Sequence, residues 1–127
     1  AECADVVMRG RGDTETADKF YQRAVQGFPR EEAIQFAYGC FLQEHTGDTA
    51  LAEVMYRKVL QTNPKHVGSI NNLGNIALID RNDTHAAEDL YHRAMEVQPN
   101  DLTVLSNYGL MLHKRALQQH ANVSKIT

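Results

Sequence analysis

Apolar residues recur along this chain at spacings of three and four, with polar residues between them, which is the pattern of amphipathic helices. One stripe runs Ala17, Phe20, Tyr21, Ala24, Val25; similar sizes return as Ala52, Met55, Tyr56, Val59, Leu60 and as Ala87, Leu90, Tyr91, Ala94, Met95. A second kind of stripe reads Ile34, Tyr38, Phe41, Leu42, then Ile70, Leu73, Ile76, Ala77, then Leu105, Tyr108, Met111, Leu112. No stretch alternates with period two for long enough to form a strand. Two kinds of helix are therefore predicted to alternate along the chain, termed first and second helices below.

The alternation is a true internal repeat. Shifted by 35 residues, the sequence overlays itself: Pro29, Pro64 and Pro99 align, as do Gly39, Gly74 and Gly109, and Tyr21, Tyr56 and Tyr91. Ala17, Ala52 and Ala87 also fall in register, and so do Gly12-Asp13-Thr14, Gly47-Asp48-Thr49 and Asn82-Asp83-Thr84. Such periods signal stacked supersecondary units. The Gly/Asn-Asp-Thr triplets read as turns whose side-chain oxygens cap the second helix. Each second helix ends near a proline, which cannot continue it. Gly39, Gly74 and Gly109 lie within first helices, where glycine costs about 1 kcal/mol against alanine. Close approach of the partner helix is the expected reason, with its tyrosine or alanine over the missing side chain.

These residues resemble the tetratricopeptide repeat: a large residue then glycine (Leu73-Gly74), alanine (Ala87), an aromatic (Tyr91), a small residue (Ala94) and proline (Pro99). The preceding copy supplies Tyr38-Gly39, Ala52, Tyr56, Val59 and Pro64, and the first supplies Cys3-Ala4, Ala17, Tyr21, Ala24 and Pro29. The period is 35 rather than the family's usual 34, with the extra residue between glycine and second helix. A weaker resemblance, to the half-a-tetratricopeptide repeat of RNA-processing scaffolds, rests on Phe36-Ala37-Tyr38-Gly39-Cys40-Phe41-Leu42 and Gly47-Asp48. The resemblance implies an all-α, right-handed solenoid over residues 1–127, built of repeats at about 1–29, 32–64 and 67–99 and a final helix at about 102–118. Beginning inside a first helix and ending on an unpaired one, the chain reads as a segment of a longer protein.

Composition narrows the function. With 43% apolar and 23% charged residues the chain has ordinary globular usage. Its formal net charge of -3 argues against nucleic acid as a direct partner, and no apolar run is long enough to span a membrane. Cys3 and Cys40 lack metal or redox spacing and read as small buried apolar residues, which suits a reducing, intracellular compartment. No nucleotide loop, metalloprotease motif or nucleophile elbow is present, so neither a catalytic centre nor a cofactor is expected. His85 and His92 stand two helical turns apart, too far for one metal ion. Arg11-Gly12-Asp13 spells an adhesion tripeptide but falls on the recurring turn. Asn82-Asp83-Thr84 and Asn122-Val123-Ser124 fit a glycosylation pattern that matters only in a secreted chain.

The resemblance implies a protein partner received on the face of the first helices. Groove positions by that resemblance are Phe36, Cys40, Gln43, Asn71, Asn75, Ile79, Ser106, Leu110 and His113. Asn72 and Asn107, one period apart, form two rungs of an asparagine ladder suited to a peptide backbone, because an amide offers donor and acceptor; the first rung is Ala37. The partner-binding set is thus Asn71, Asn72, Asn75, Ser106, Asn107 and Leu110. The family's two-lysine carboxylate clamp is missing, since Asn71, Thr103 and Asn107 stand where basic residues belong. The expected function is non-catalytic scaffolding within a larger assembly, the groove holding an extended partner segment. The alternatives are a structural subunit docked by its convex face and ends, and an RNA-processing scaffold.

Overall fold

The computed structural model describes the backbone over residues 10–126 and side chains over 12–123. The described residues form six α-helices and no strand: α1 (Gly10–Gly27), α2 (Glu32–Phe41), α3 (Thr49–Thr62), α4 (Val67–Asn75), α5 (Thr84–Val97) and α6 (Leu102–Ile126). They fall into two compact units, divided between Ser69 and Ile70.

The chain's punctuation acts as its chemistry dictates. Each second helix stops before its proline, which occupies the second position of a β-turn. Glu31 N donates to Phe28 O, His66 N to Asn63 O, and Asp101 N to Gln98 O, at 3.1, 3.1 and 3.3 Å. The turn's last residue then precedes the next helix, and Asp101 caps it by accepting from Val104 N at 3.1 Å. Asp48 and Asp83 cap α3 and α5, accepting from Leu51 N and Ala86 N at 3.1 and 3.0 Å. The residues before them, Gly47 and Asn82, have φ of 70° and 50°, a left-handed turn that glycine and asparagine tolerate best.

Copy one departs from this scheme. Gly12 and Asp13 lie inside α1, not in a turn, and Thr16 Oγ1 donates back to Gly12 O at 2.9 Å. The triplet had the right letters, but only the left-handed residue makes it a turn, and Gly12 stays helical. The first helix of copy one, with Cys3-Ala4, lies outside the described residues.

In the first unit, α2 and α3 pack with Tyr56 against Gly39: a β-carbon at Gly39 would lie 2.6 Å from Tyr56 Cε1. Tyr38, Phe41 and Leu42 of the first helix and Ala52, Met55, Tyr56 and Val59 of the second are buried, as their stripes predict. α1 joins through Tyr21, whose ring lies 5.6 Å from Tyr38 and 5.0 Å from Phe41. Tyr38 Oη also donates to Asp18 Oδ1 at 2.9 Å. Burial, then the neighbouring Asp18 carboxylate, push this phenol up to about 12. Cys40 is buried but is not a free thiol, because it is disulfide-bonded. Cys3 lies outside the described residues.

In the second unit, Tyr91 lies against Gly74 as Tyr56 does against Gly39, with the same 2.6 Å to the missing β-carbon. Ile70, Leu73, Ile76 and Ala77 are buried, as are Ala87, Tyr91 and Ala94. The residue beyond the 34-residue period is accommodated as a π-helical turn. First helices end in Leu42–Thr46 and Ile76–Asp80, where widened bonds such as Arg81 N to Ile76 O (3.2 Å) absorb one residue without breaking the helix. α6 lacks such a turn and continues to Ile126, past the expected 118. Of its stripe only Met111 is fully buried, while Leu105 and Leu112 are 41% and 43% exposed.

Candidate functional site

The six residues expected to bind a partner all lie in the second unit, on α4 and α6. α6 turns Val104, Tyr108, Met111 and Arg115, at spacings of four, three and four, toward α5. Val104 and Met111 are buried. The His92 and Tyr108 rings sit 5.3 Å apart with His92 Nε2 3.0 Å from Tyr108 Oη. Arg115 Nη1 donates to Glu88 Oε2 at 3.2 Å. That bond, more than the charge itself, holds the Glu88 carboxyl below its usual range.

This docking places α6 beside α4. Asn107 Nδ2 donates to Asn71 Oδ1 at 3.0 Å, Lys114 Nζ to Leu78 O at 3.4 Å, and Gln118 Nε2 to Asn82 Oδ1 at 3.0 Å. All three contacts join residues 36 apart. Neighbouring first helices are thus offset by one residue beyond the repeat, and Asn107 meets Asn71 rather than its sequence equivalent Asn72. A hydrogen-bonding residue sought at one period plus one would have revealed this pairing.

The predicted residues separate into three groups. Asn71 and Asn107 are brought together, Asn71 buried and Asn107 half-buried. Asn75 is turned to the interior, where its Oδ1 accepts from Tyr91 Oη at 2.6 Å, and burial raises the Tyr91 phenol above its ordinary range. Ser106 and Leu110 lie exposed on α6, Leu110 at 46%, while Asn72 is half-buried on α4. Ile79, 61% exposed, adds apolar surface from the end of the π-turn. In the first unit Phe36 and Gln43 are half-buried. Gln43 Oε1 accepts from Tyr56 Oη at 2.6 Å, and Phe36 packs 4.8 Å from the His66 ring.

With the amides oriented by their mutual bond, Asn71 Nδ2 and Asn107 Oδ1 remain without a hydrogen-bond partner among the described residues. One is a donor and the other an acceptor, a pairing that matches the carbonyl and N–H of a peptide. Among the described residues no cluster of His, Cys, Asp and Glu has metal-holding geometry. No described helix is long and apolar enough to cross a membrane.

A family model described as the Cilia and flagella-associated protein 70 middle TPR-like domain matches residues 7–124. No curated protein matches the chain. The match spans nearly all of the sequence and is consistent with the all-helical fold of the described residues. Domains of this kind mediate protein–protein contacts and are typically non-catalytic. The chain therefore belongs to the family of the Cilia and flagella-associated protein 70 middle TPR-like domain.

Proposed function

We propose that this chain is a non-catalytic scaffold whose α4–α6 face holds an extended segment of a protein partner. The observation that supports this is the Asn71–Asn107 couple, with a donor and an acceptor unused within the described chain. Leu110, one helical turn after Asn107, offers exposed apolar surface, and Asn72 and Ser106 are the chain neighbours of the couple. An extended backbone satisfies such a face without dependence on side-chain identity, and pockets for one or two side chains add selectivity. The family's name refers to cilia and flagella, and we take an assembly of that kind as the setting.

The test is affinity capture from a native lysate with wild type, the Asn72→Ala/Asn107→Ala double variant and Leu110→Glu, partners being identified by mass spectrometry. Losing the Asn107–Asn71 bond costs about 1 kcal/mol of stability, so circular dichroism checks the fold. Leu110→Glu changes a side chain that is 46% exposed, and its fold is checked in the same way. Loss of the same main partner in both folded variants is expected. Retention in both overturns the groove reading and favours a subunit held by its other surfaces.

A further inference from the structure

The first unit holds a cavity of about 440 Å³ between the turn at Pro29 and Arg30 and the end of α3, where Lys58, Gln61 and Thr62 line it. Gln35 of α2 is the buried member of the lining, 3% exposed. Its Nε2 donates to Pro29 O at 2.6 Å, and its Oε1 is a buried acceptor with no donor among the described residues. The side chains of Arg30 and Lys58 make no ion pair or hydrogen bond among the described residues, and no described carboxylate lines the cavity. One repeat later the same positions read Pro64, Lys65, Ile70, Arg93, Glu96 and Val97. Both cations persist there, but hydrocarbon replaces the buried amide and a carboxylate replaces Gln61. The later positions therefore include an anion of their own, and the earlier ones do not. Ile70 also shows that hydrocarbon fits the place of Gln35, where an acceptor without a donor is costly.

We propose that this cavity binds a phosphorylated serine or threonine of a protein partner. A phosphate monoester carries roughly two negative charges near neutral pH. That matches Arg30 and Lys58, whereas a carboxylate neutralises only one of them. The Arg30 guanidinium is suited to parallel bonds with phosphate oxygens, Lys58 supplies a point charge, and the Gln61 amide adds a neutral donor. The residue that bears the phosphate also presents a backbone N–H, which is the donor that Gln35 Oε1 lacks. Binding draws the exposed side chains of Arg30 and Gln61 onto the phosphate and opens Oε1 to that N–H. The site shares no residue with the Asn71–Asn107 face and does not rest on the groove reading.

The test is an NMR titration of the nitrogen-15-labelled protein at low salt, where exposed cations are least screened. The probe is N-acetyl-O-phosphoserine methylamide, compared with its unphosphorylated form and with inorganic phosphate. Wild type is run beside Arg30→Gln, Lys58→Gln and Gln35→Leu, each checked for folding by circular dichroism. The phosphorylated probe is expected to shift the Gln35 side-chain amide and the backbone amides of Arg30 and of Lys58, Gln61 and Thr62. Either charge change should weaken it roughly tenfold, the scale of one charge-assisted hydrogen bond. Gln35→Leu should weaken it about fivefold, the scale of a neutral one. If Gln35→Leu does not fold, the two surface variants carry the test. No binding of the phosphorylated probe, equal binding of the unphosphorylated form, or unchanged affinity in Arg30→Gln or Lys58→Gln overturns the proposal. Equal affinity for inorganic phosphate, or full affinity in folded Gln35→Leu, overturns the assignment to a phosphorylated residue.

Discussion

The α2–α3 pair and the α4–α5 pair pack the same way with different polar chemistry. In both, an alanine and a tyrosine of the second helix are buried, and the ring lies against a glycine of the first. The tyrosine hydroxyl then finds unrelated acceptors: Gln43 in the first pair, four residues after the glycine, and Asn75 in the second, one residue after it. Cys40, which is disulfide-bonded, occupies the repeat position of Asn75. Gln35 and Ile70 share a stripe position. Gln35 is 3% exposed, and although Nε2 donates to Pro29 O at 2.6 Å, Oε1 has no hydrogen-bond partner among the described residues. Ile70 fills its place with hydrocarbon alone. The lesson is that packing tolerates one geometry, whereas a buried polar atom needs only some partner within reach.

Replacing the two tyrosines tests whether the pairs are equal in strength. Tyr56→Ala and Tyr91→Ala each remove a fully buried ring and are expected to cost about 3–5 kcal/mol. Hydrogen exchange read helix by helix should show each loss concentrated in its own pair, since repeat units are stabilised by their neighbours. A uniform loss across both pairs would instead show a single cooperative core.

A smaller effect sharpens the contrast with the third first-type helix. Gly39→Ala and Gly74→Ala place a β-carbon 2.6 Å from a tyrosine ring and should destabilise by about 1–3 kcal/mol despite alanine's better helix propensity. Gly109→Ala meets nothing and should stabilise by roughly 0.5–1 kcal/mol. Urea unfolding of the three variants measures both signs. Destabilisation by Gly109→Ala would mean that the face over α6 is already covered.

The smallest effect concerns the turns that start the first helices. Asp101 caps α6, whereas His66 caps α4 through Nδ1, which accepts from Ser69 N at 3.1 Å, and Glu31 makes no side-chain cap to α2. Burial holds the His66 imidazole below its ordinary value of 6.5, against the opposing pull of Glu32. The unfolded chain therefore takes up this proton first as pH falls. The contribution is complete above about 6.5 and is lost through the interval down to the lower folded value. The loss should stay within the ~1 kcal/mol that a helix cap contributes. His66→Asn keeps a capping oxygen and should flatten the dependence, followed as the urea midpoint from pH 8 to pH 5. An unchanged slope would place the titrating group elsewhere.

Much of this protein was legible in its residues taken in order. The 35-residue shift, the paired stripes and the proline turns led to the helix pairs, and the glycine–tyrosine coincidence led to the contact that holds them. Those features are local or periodic, and hydrophobic spacing and turn chemistry act on a few neighbouring residues. The candidate site was less legible. Asn72 and Asn107 share a repeat position, but packing offsets the first helices by one residue and pairs Asn107 with Asn71 instead. Asn75 carries the letter of a ligand-binding residue and serves a buried tyrosine hydroxyl.

What the residues determined alone was therefore the repeat, its helices, its caps and the surfaces those helices must bury. Tertiary structure decided which equivalent positions are used. It kept Gly12 helical while Gly47 turned, absorbed the extra residue as a π-turn, bonded Cys40, and left the stripe around Gly109 exposed. The reason is that a repeat writes the same instruction in each copy, while burial and hydrogen bonding depend on what stands next to that copy in space.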